Sequence, residues 1–181
     1  MNQYLALLRG INVGGKNLVK MADLKECFEA HGFVNVRTYI QSGNVLFFSA
    51  APDPARLPGR IEQALLETFD LPLRVVVLPH QELKDIVAHA PDGFGDEPDA
   101  YRYDVMYLFE PVTVPEVMEN VSTREGVDQV WAGETVLYFS RLISRASQSR
   151  LSKIASTPVY QSMTIRNWKT TSKLLDMMEE G

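Results

Sequence analysis

Residues 34–49, VNVRTYIQSGNVLFFS, predict a β-hairpin. Apolar and polar residues alternate along VNVRTYIQ, which is typical of a half-buried strand and places Val34 and Val36 on one face. A second apolar run, VLFFS, follows at once, and the intervening residues 42–44, SGN, have the composition of a tight turn. Because a hairpin pairs its strands antiparallel, we expect an antiparallel sheet in this part of the chain.

The segments on either side of the hairpin predict a βαββαβ unit followed by one further helix. QYLALLR at 3–9 is an apolar run typical of a strand, and MADLKECFEAHG at 21–32 has apolar residues at helical spacing. Beyond the hairpin we expect a helix at 55–69, a strand at 73–78 and a helix at 81–90. This order is that of the ferredoxin-like arrangement, an antiparallel sheet with both helices on one face.

The same order of elements is predicted a second time. The segment PDGFGDEPDA at 91–100 is rich in proline, glycine and aspartate and has the composition of a linker. The elements expected after it are strands at 103–110, 127–132, 134–140 and 162–166, and helices at 114–121, 148–155 and 168–180. We therefore expect an α+β fold of two ferredoxin-like βαββαβ units in tandem, at 1–90 and 101–181, each followed by an extra helix.

The composition excludes several classes of protein. The chain has 181 residues, of which 45% are hydrophobic and 23% charged, and these values are ordinary for a soluble globular protein. Its apolar runs are too short to cross a bilayer, and its first residues lack the features of a signal peptide. The single cysteine, Cys27, excludes a disulfide framework and a zinc site built on several cysteines. We expect a cytoplasmic protein without a membrane partner.

Charge is segregated along the chain. The formal net charge is −5, yet residues 1–50 and 141–181 are net basic and residues 51–140 are net acidic. An acidic protein has little general attraction for nucleic acid, because such binding depends on neutralising phosphates. The two basic ends are still compatible with a local anion-binding surface. The alternative is that these charges lie on solvated helix faces.

GINVGGKN, residues 10–17, is close to the phosphate-binding P-loop pattern GxxxxGK followed by serine or threonine. Asn17 stands where the P-loop hydroxyl would bind Mg²⁺, and the next helix begins only near Met21, so we do not expect ATP or GTP hydrolysis here. A glycine-rich backbone with uncovered amides beside Arg9 and Lys16 nevertheless suits an anion. The alternative is a tight crossover loop in which the glycines only allow the chain to reverse.

Topology predicts that a second segment lies beside this loop. In a βαββαβ unit the first and second strands run in the same direction, so the loop after the first strand and the turn after the second share one end of the sheet. Amides and one hydroxyl would then join the two cations, and neither segment contains a carboxylate. The candidate ligand-binding residues of this site are Arg9, Asn12, Gly14, Gly15, Lys16, Gln41, Ser42 and Asn44.

A second basic cluster is predicted where the last strand enters the last helix, in TIRNWKT at 164–170. Asn167 is suited to the N-cap position, which would direct the amides of the first helical turn outward beside Arg166 and Lys169. Further cations expected near this end of the sheet are Lys173, Arg141 and Arg145. The alternative is an ordinary capped helix whose arginines lie against solvent.

The remaining reactive residue types indicate no chemistry. The histidines, His31, His80 and His89, match no metal-ligand spacing, so we expect no metal site. Cys27 lies on the apolar face of its helix and is expected to be a buried, unreactive thiol. For Trp168, packing in the core is favoured over a role as a surface on which a ligand stacks. The residues identify no cofactor and no nucleophile–base arrangement.

Three stretches carry a resemblance to a known family: ALLRGINVGGKNLVKMADL at 6–24, TYIQSGNVLF at 38–47 and TIRNWKTTSKLL at 164–175. In these stretches the chain resembles the bacterial domain-of-unknown-function family 1697. The resemblance implies a small cytoplasmic bacterial protein and supplies no activity, substrate or catalytic residue. It also implies that the family's signature includes Arg9, Asn12, Gly14, Gly15, Lys16, Gln41, Ser42, Asn44, Arg166, Asn167 and Trp168. Polar signature residues on loops favour a site over mere packing.

These observations predict binding of a small phosphorylated or otherwise anionic ligand at the glycine-rich loop together with the basic start of the last helix. They do not indicate a reaction, or whether the protein is an enzyme. The alternative function is single-stranded nucleic-acid binding by the exposed sheet face, where Tyr4 and Phe47 or Phe48 would stack on bases. A further expectation is that the apolar outer sheet faces cover each other or a second copy of the chain, which would bring Lys16 and Arg166 together.

Overall fold

The computed structural model describes residues 1–181, apart from the side chain of Ser152. Its first sheet is fully antiparallel and has the strand order β2-β3-β1-β4. The strands are β1 (Asn2–Leu8), β2 (Val34–Tyr39), β3 (Asn44–Ser49) and β4 (Val75–Pro79), and the helices among and after them are α1 (Met21–Ala30), α2 (Leu57–Phe69) and α3 (His80–Ala88). Both β1 and β2 pair antiparallel with β3, so they run in the same direction, as the sequence predicts.

Helices α1 and α2 pack on one face of this sheet. The residues Leu24, Cys27 and Phe28 of α1, at helical spacing, meet Ile61 and Leu65 of α2 in one buried cluster. Burial raises the pKa of the Cys27 thiol, in agreement with the expected unreactive cysteine. The opposite face of the sheet is buried too, through Leu5, Leu7 and Leu46. Burial on both faces explains why β1 reads as a continuous apolar run instead of an alternating one.

Strand β2 departs from simple alternation. Its pairing with β3 shifts between Val34 and Arg37, and Asn35 in between has a φ of 52°, which marks a bulge. One inserted residue turns the side chains before it to the other face of the sheet. Val36 is therefore buried while Val34 is exposed, and the prediction that the two valines share a face is wrong.

The second sheet is also antiparallel and has the order β6-β7-β5-β8. Its strands are β5 (Tyr101–Leu108), β6 (Asp128–Ala132), β7 (Val136–Leu142) and β8 (Met163–Asn167), with α4 (Val114–Met118) and α5 (Trp168–Glu179) as its α-helices. The protein is thus a mixed α+β structure with two four-stranded antiparallel sheets. No helix in the part of the chain that the structure describes is long and apolar enough to cross a membrane.

The helix predicted at 148–155 does not form as an α-helix. Three short 3₁₀ segments, Ile143–Gln148, Leu151–Ser156 and Pro158–Ser162, occupy the connection between β7 and β8. Hydroxyl groups compete here with the helical backbone pattern: Ser156 Oγ donates to the Lys153 carbonyl at 2.7 Å, and Thr157 Oγ1 donates to that of Ile154 at 2.7 Å.

The chain divides into two compact units. The first comprises Met1–Leu83 with Asp176–Gly181, and the second comprises Lys84–Leu175. The C-terminal residues are tied to the first unit by the Arg37 guanidinium, which donates to the carbonyl of Met177. The division falls within α3, before the segment 91–100 for which the sequence predicts a linker. This segment belongs to the second unit, where its one aromatic residue, Phe94, is buried.

Candidate functional site

The loop after β1 forms a small hairpin of its own, which we call the glycine-rich hairpin, residues 12–17. The amide of Asn12 donates to the Asn17 carbonyl at 3.1 Å, and the amide of Lys16 donates to the Val13 carbonyl at 3.0 Å. The two residues at its tip, Gly14 and Gly15, have φ values of 58° and 75°. A two-residue turn with positive φ at both positions strongly favours glycine, which is the local reason for the Gly-Gly pair.

Two asparagine side chains fasten the glycine-rich hairpin to the body of the first unit. The Asn12 side-chain amide donates to the carbonyls of Val19 at 3.0 Å and Gln41 at 3.1 Å, while its Oδ1 accepts from the Val19 amide at 2.9 Å. The Asn17 side-chain amide donates to the Gly10 carbonyl at 2.9 Å. Asn12 therefore joins the loop, the segment before α1 and the β2–β3 turn through contacts with their backbone.

The β2–β3 turn, residues 40–43, lies against the base of this loop, at the sheet end that the topology predicts. The Leu8 amide donates to the Gly43 carbonyl at 2.8 Å. The Asn44 side chain is buried and donates to the Tyr39 carbonyl at 3.1 Å and to Ser42 Oγ at 2.9 Å. The predicted residues Ser42 and Asn44 thus stabilise the turn itself, while Gln41 is exposed beside it.

The tip of the glycine-rich hairpin is open to solvent. Gly14, Gly15 and Lys16 are exposed, and no described atom lies within 4 Å of the position that a Cβ would take at either glycine. Within the described part of the chain, the amides of Gly14 and Gly15 have no acceptor. The apolar side chains flanking the tip are also solvent-facing, with Val13 64% and Leu18 74% exposed. The tip therefore presents two amide donors and one ammonium group on a small, partly apolar surface.

Two arginines meet at the base of the same loop. The Arg9 amide donates to the Arg74 carbonyl at 2.9 Å, where β1 ends and β4 begins. The Arg74 guanidinium lies 3.5 Å from the carboxylate of Glu62. Arg9 is among the residues predicted from the sequence, whereas Arg74 is not. The available signal was the pairing of the first and fourth strands that a βαββαβ order implies.

The residues of the predicted basic cluster at the start of α5 differ in their exposure to solvent. Asn167 Oδ1 accepts from the Thr170 amide at 2.7 Å, so the expected N-cap is confirmed. Lys169 is exposed, whereas Arg166 is only 8% exposed and donates to Thr164 Oγ1 and the Ile165 carbonyl, each at 2.9 Å. Burial lowers the pKa of Arg166 to about 10, which still leaves it charged at neutral pH. Arg166 is therefore an internal cation, and the alternative that the arginines of this cluster lie against solvent does not hold for it.

Two of the three aromatic side chains proposed for nucleic-acid stacking, Tyr4 and Phe47, face the core. Tyr4 and Phe47 are both buried and stack on each other with ring centroids 5.6 Å apart. Phe48 is half-buried. In the folded protein the rings of Tyr4 and Phe47 are therefore not accessible to bases.

The loop and the turn contain no carboxyl, imidazole or thiol side chain. Residues 9–20 and 40–44 include no aspartate, glutamate, histidine or cysteine. Among the residues that the structure describes, no three of these side chains are grouped so that they could hold a metal ion. The arrangement is suited to binding through amides and cations, and it assigns no proton transfer to any residue.

Comparison with known proteins extends the resemblance seen in the sequence. The chain is similar to the structure of the conserved bacterial protein SP0830 from Streptococcus pneumoniae, with a TM-score of 0.87 and 26% sequence identity over 99% of each chain. A comparison with curated proteins gives no significant match. The model of the family described as "Protein of unknown function (DUF1697)" matches residues 1–138, which include the glycine-rich hairpin and the β2–β3 turn but not residues 164–175. The chain belongs to the DUF1697 family.

Proposed function

We propose that the glycine-rich hairpin, with Lys16 and the β2–β3 turn, binds a small anionic ligand such as the phosphate group of a phosphorylated metabolite. The observation that carries the proposal is the pair of consecutive exposed amides at Gly14 and Gly15, which have no acceptor within the described protein. They stand on a tip whose geometry is held by the side chains of Asn12 and Asn17.

Electrostatics favours an anion over other ligands at this tip. Uncovered amide donors at the turn of a loop attract an anion, and the Lys16 ammonium would add a charge-assisted hydrogen bond. Residues 9–20 and 40–44 contain no carboxylate that could compete with the ligand for these donors. The first acidic residue after the loop is Asp23. The exposed Val13 and Leu18 would contact the apolar part of such a ligand.

The proposal is one of binding, without an assigned reaction or cofactor. The contribution predicted from the start of α5 remains a prediction and rests on the N-cap at Asn167 and the exposed Lys169. The hairpin site is complete within the first unit and does not depend on that contribution.

Substitution of Lys16 by alanine is expected to weaken anion binding about tenfold or more, because hydrogen bonds to charged groups contribute about 1.5–3 kcal/mol. A thermal-shift screen with pyrophosphate, sugar phosphates and nucleotides identifies the strongest ligand, and isothermal titration calorimetry then gives the Kd of each variant. At a ligand concentration of about 100 times Kd, the wild type gains about 2.7 kcal/mol of stability.

The matched control is Lys25→Ala, which removes the same charge from an exposed site on α1, where Lys25 pairs with Glu29 at 2.7 Å. The proposal requires wild-type affinity in this variant. If no anion in the panel stabilises the wild type, or if both lysine variants lose affinity equally, the proposed site is wrong.

We also propose that the two units are ferredoxin-like and arose by duplication, and that the protein is cytoplasmic. The first part is supported by the βαββαβ order of the first unit, its strand order β2-β3-β1-β4 and the packing of α1 and α2 on one face. The corresponding strand order in the second unit, β6-β7-β5-β8, supports the duplication.

The proposed cytoplasmic location is tested by a fluorescent fusion observed in intact cells, and a signal from the cell envelope would contradict it.

A further inference from the structure

A cleft of about 270 Å³ lies on one face of the second sheet, within the second unit. We call it the aromatic cleft, defined by Phe94, Tyr101, Tyr103 and Trp131 as walls and by Asp92 and Glu97 at the rim. The segment that contains Phe94 has the composition of a linker and gives no sign of this cleft in the sequence.

The strand register explains why there is a hollow at this position. Ser140 of β7 pairs with Tyr103 of β5 on one side and with Gln129 of β6 on the other. All three residues line the cleft, and Ser140, the smallest of them, is buried between two larger neighbours. A small side chain in the central strand thus leaves space that the flanking side chains enclose.

The aromatic walls stand at steep angles to one another. Phe94 contacts Tyr103 with ring centroids 4.9 Å apart and an interplanar angle of 67°, and it contacts Trp131 at 5.8 Å and 89°. Tyr101 lies 6.1 Å from Tyr103, with their rings tilted by 40°. The half-buried rings of Tyr101, Tyr103 and Trp131 therefore present surfaces of different orientation to the same space.

The rim of the cleft carries only negative charge. None of the described lining residues is cationic, and Asp92 and Glu97 are both exposed. The segment 91–100 contains four carboxylates and no lysine or arginine. Aromatic faces carry negative electrostatic potential, so the walls and the rim both attract positive charge.

We infer that the aromatic cleft binds an alkylated ammonium group. Aromatic rings around a quaternary or methylated ammonium provide cation–π attraction, and the carboxylates at the rim complement its charge. The volume is slightly below the range of about 300–1,000 Å³ for pockets that hold drug-sized ligands, so it suits a head group and not a whole nucleotide. The same chemistry can come from a free small cation or from a methylated lysine side chain of a peptide.

Intrinsic fluorescence reports on this cleft directly. The chain has two tryptophans, and both contact Phe94: Trp131 lines the cleft and Trp168 lies 5.1 Å from Phe94. The full-length protein is titrated at constant ionic strength with tetramethylammonium and choline, and with 3,3-dimethylbutanol, the uncharged isostere of choline. A peptide with trimethyllysine and the same peptide with unmodified lysine distinguish a side-chain source from a free cation.

We expect a saturable fluorescence change with choline or with the trimethyllysine peptide. Binding should be at least about tenfold weaker for 3,3-dimethylbutanol than for choline, and for the unmodified peptide than for the trimethyllysine peptide. Glu97→Gln is expected to weaken binding severalfold, and Tyr101→Leu, which removes a ring but keeps an apolar side chain, to weaken it at least tenfold. Asp99→Asn is the control, because Asp99 lies in the same segment but does not line the cleft. Circular dichroism confirms the fold of each variant.

Equal binding of choline and its uncharged isostere would overturn the inference, as would the absence of any saturable change with both cations and both peptides. A saturable response to adenosine, titrated in the same way, without a response to the cations or the peptides would also overturn it, since it would assign the cleft to planar aromatic ligands. These outcomes leave the anion site unaffected, because the glycine-rich hairpin belongs to the first unit.

Discussion

Replacing Gly43 with alanine is expected to lower the free energy of unfolding by about 3 kcal/mol, a large part of the stability of an ordinary domain. The new Cβ would lie 2.5 Å from Cγ2 of Ile11 and 2.8 Å from Cβ of Leu8, and both of these residues are buried. Gly43 also has a φ of 72°, which adds left-handed strain for any L-residue. Overpacking costs about 1–3 kcal/mol, and a left-handed backbone costs about 1–2 kcal/mol. Denaturant unfolding measures the loss.

Gly32→Ala is the matched control for this prediction. Gly32 has a φ of 84°, but no described atom lies within 4 Å of the position that its Cβ would take. Only the conformational term applies there, so we expect a loss of about 1 kcal/mol. Equal losses in the two variants would show that the contact between the β2–β3 turn and Ile11 is not tightly packed. Since that contact positions the glycine-rich hairpin, Gly43→Ala is also expected to weaken anion binding.

Phe94→Ala is expected to destabilise the protein by about 3–5 kcal/mol, as is usual for a buried aromatic residue. Phe94 is 8% exposed and makes edge contacts with four aromatic rings at centroid distances of 4.9–5.8 Å. Denaturant unfolding gives the loss, and the native fluorescence spectrum is expected to shift because both tryptophans lose this contact. Phe94→Leu, which keeps apolar volume, is expected to lose less. A loss below about 1 kcal/mol for Phe94→Ala would contradict the packing described for the 91–100 segment.

The order of elements is predictable because strong local signals mark them. The apolar spacing in α1, the tight-turn residues of the hairpin and the asparagine at 167 each identify an element or a boundary from a few neighbouring residues. The bulge at Asn35 leaves no such signal, because it is visible only in how β2 pairs with β3. The 3₁₀ segments after β7 have helical spacing of apolar residues, but their hydroxyl side chains bond to the backbone.

The burial of single residues is harder to predict from the sequence than the order of helices and strands. Phe94 lies in a segment whose average composition is that of a linker, and one buried ring does not change that average. Arg166 lies in a strand between Ile165 and Asn167, where a cation ordinarily indicates a solvent-facing position. Its burial depends on packing against residues distant in sequence, such as the buried Tyr107 of β5, whose hydroxyl interacts electrostatically with the guanidinium.

In the candidate site, the proximity of the two segments is predictable from the sequence, but the partner of each polar side chain is not. The prediction that the β1 loop and the β2–β3 turn lie together follows from strand direction alone, and the bond from Asn12 to the Gln41 carbonyl confirms it. Residue type does not distinguish a polar side chain that binds a ligand from one that binds backbone. Asn12 and Asn44 are of the second kind in the folded chain, whereas Gly14, Gly15, Lys16 and Gln41 are exposed donors.

The amide resonances of Gly14 and Gly15 provide the most direct test of the anion site. In a ¹⁵N-labelled sample titrated with pyrophosphate at constant ionic strength, we expect both amide protons to move downfield and to saturate with one binding constant, because a phosphate oxygen would accept their hydrogen bonds. Gly32 and Gly126, which also have positive φ but lie elsewhere, are expected to stay in place. If the Gly14 and Gly15 resonances do not move, or move linearly together with those of Gly32 and Gly126, the glycine-rich hairpin is not an anion site.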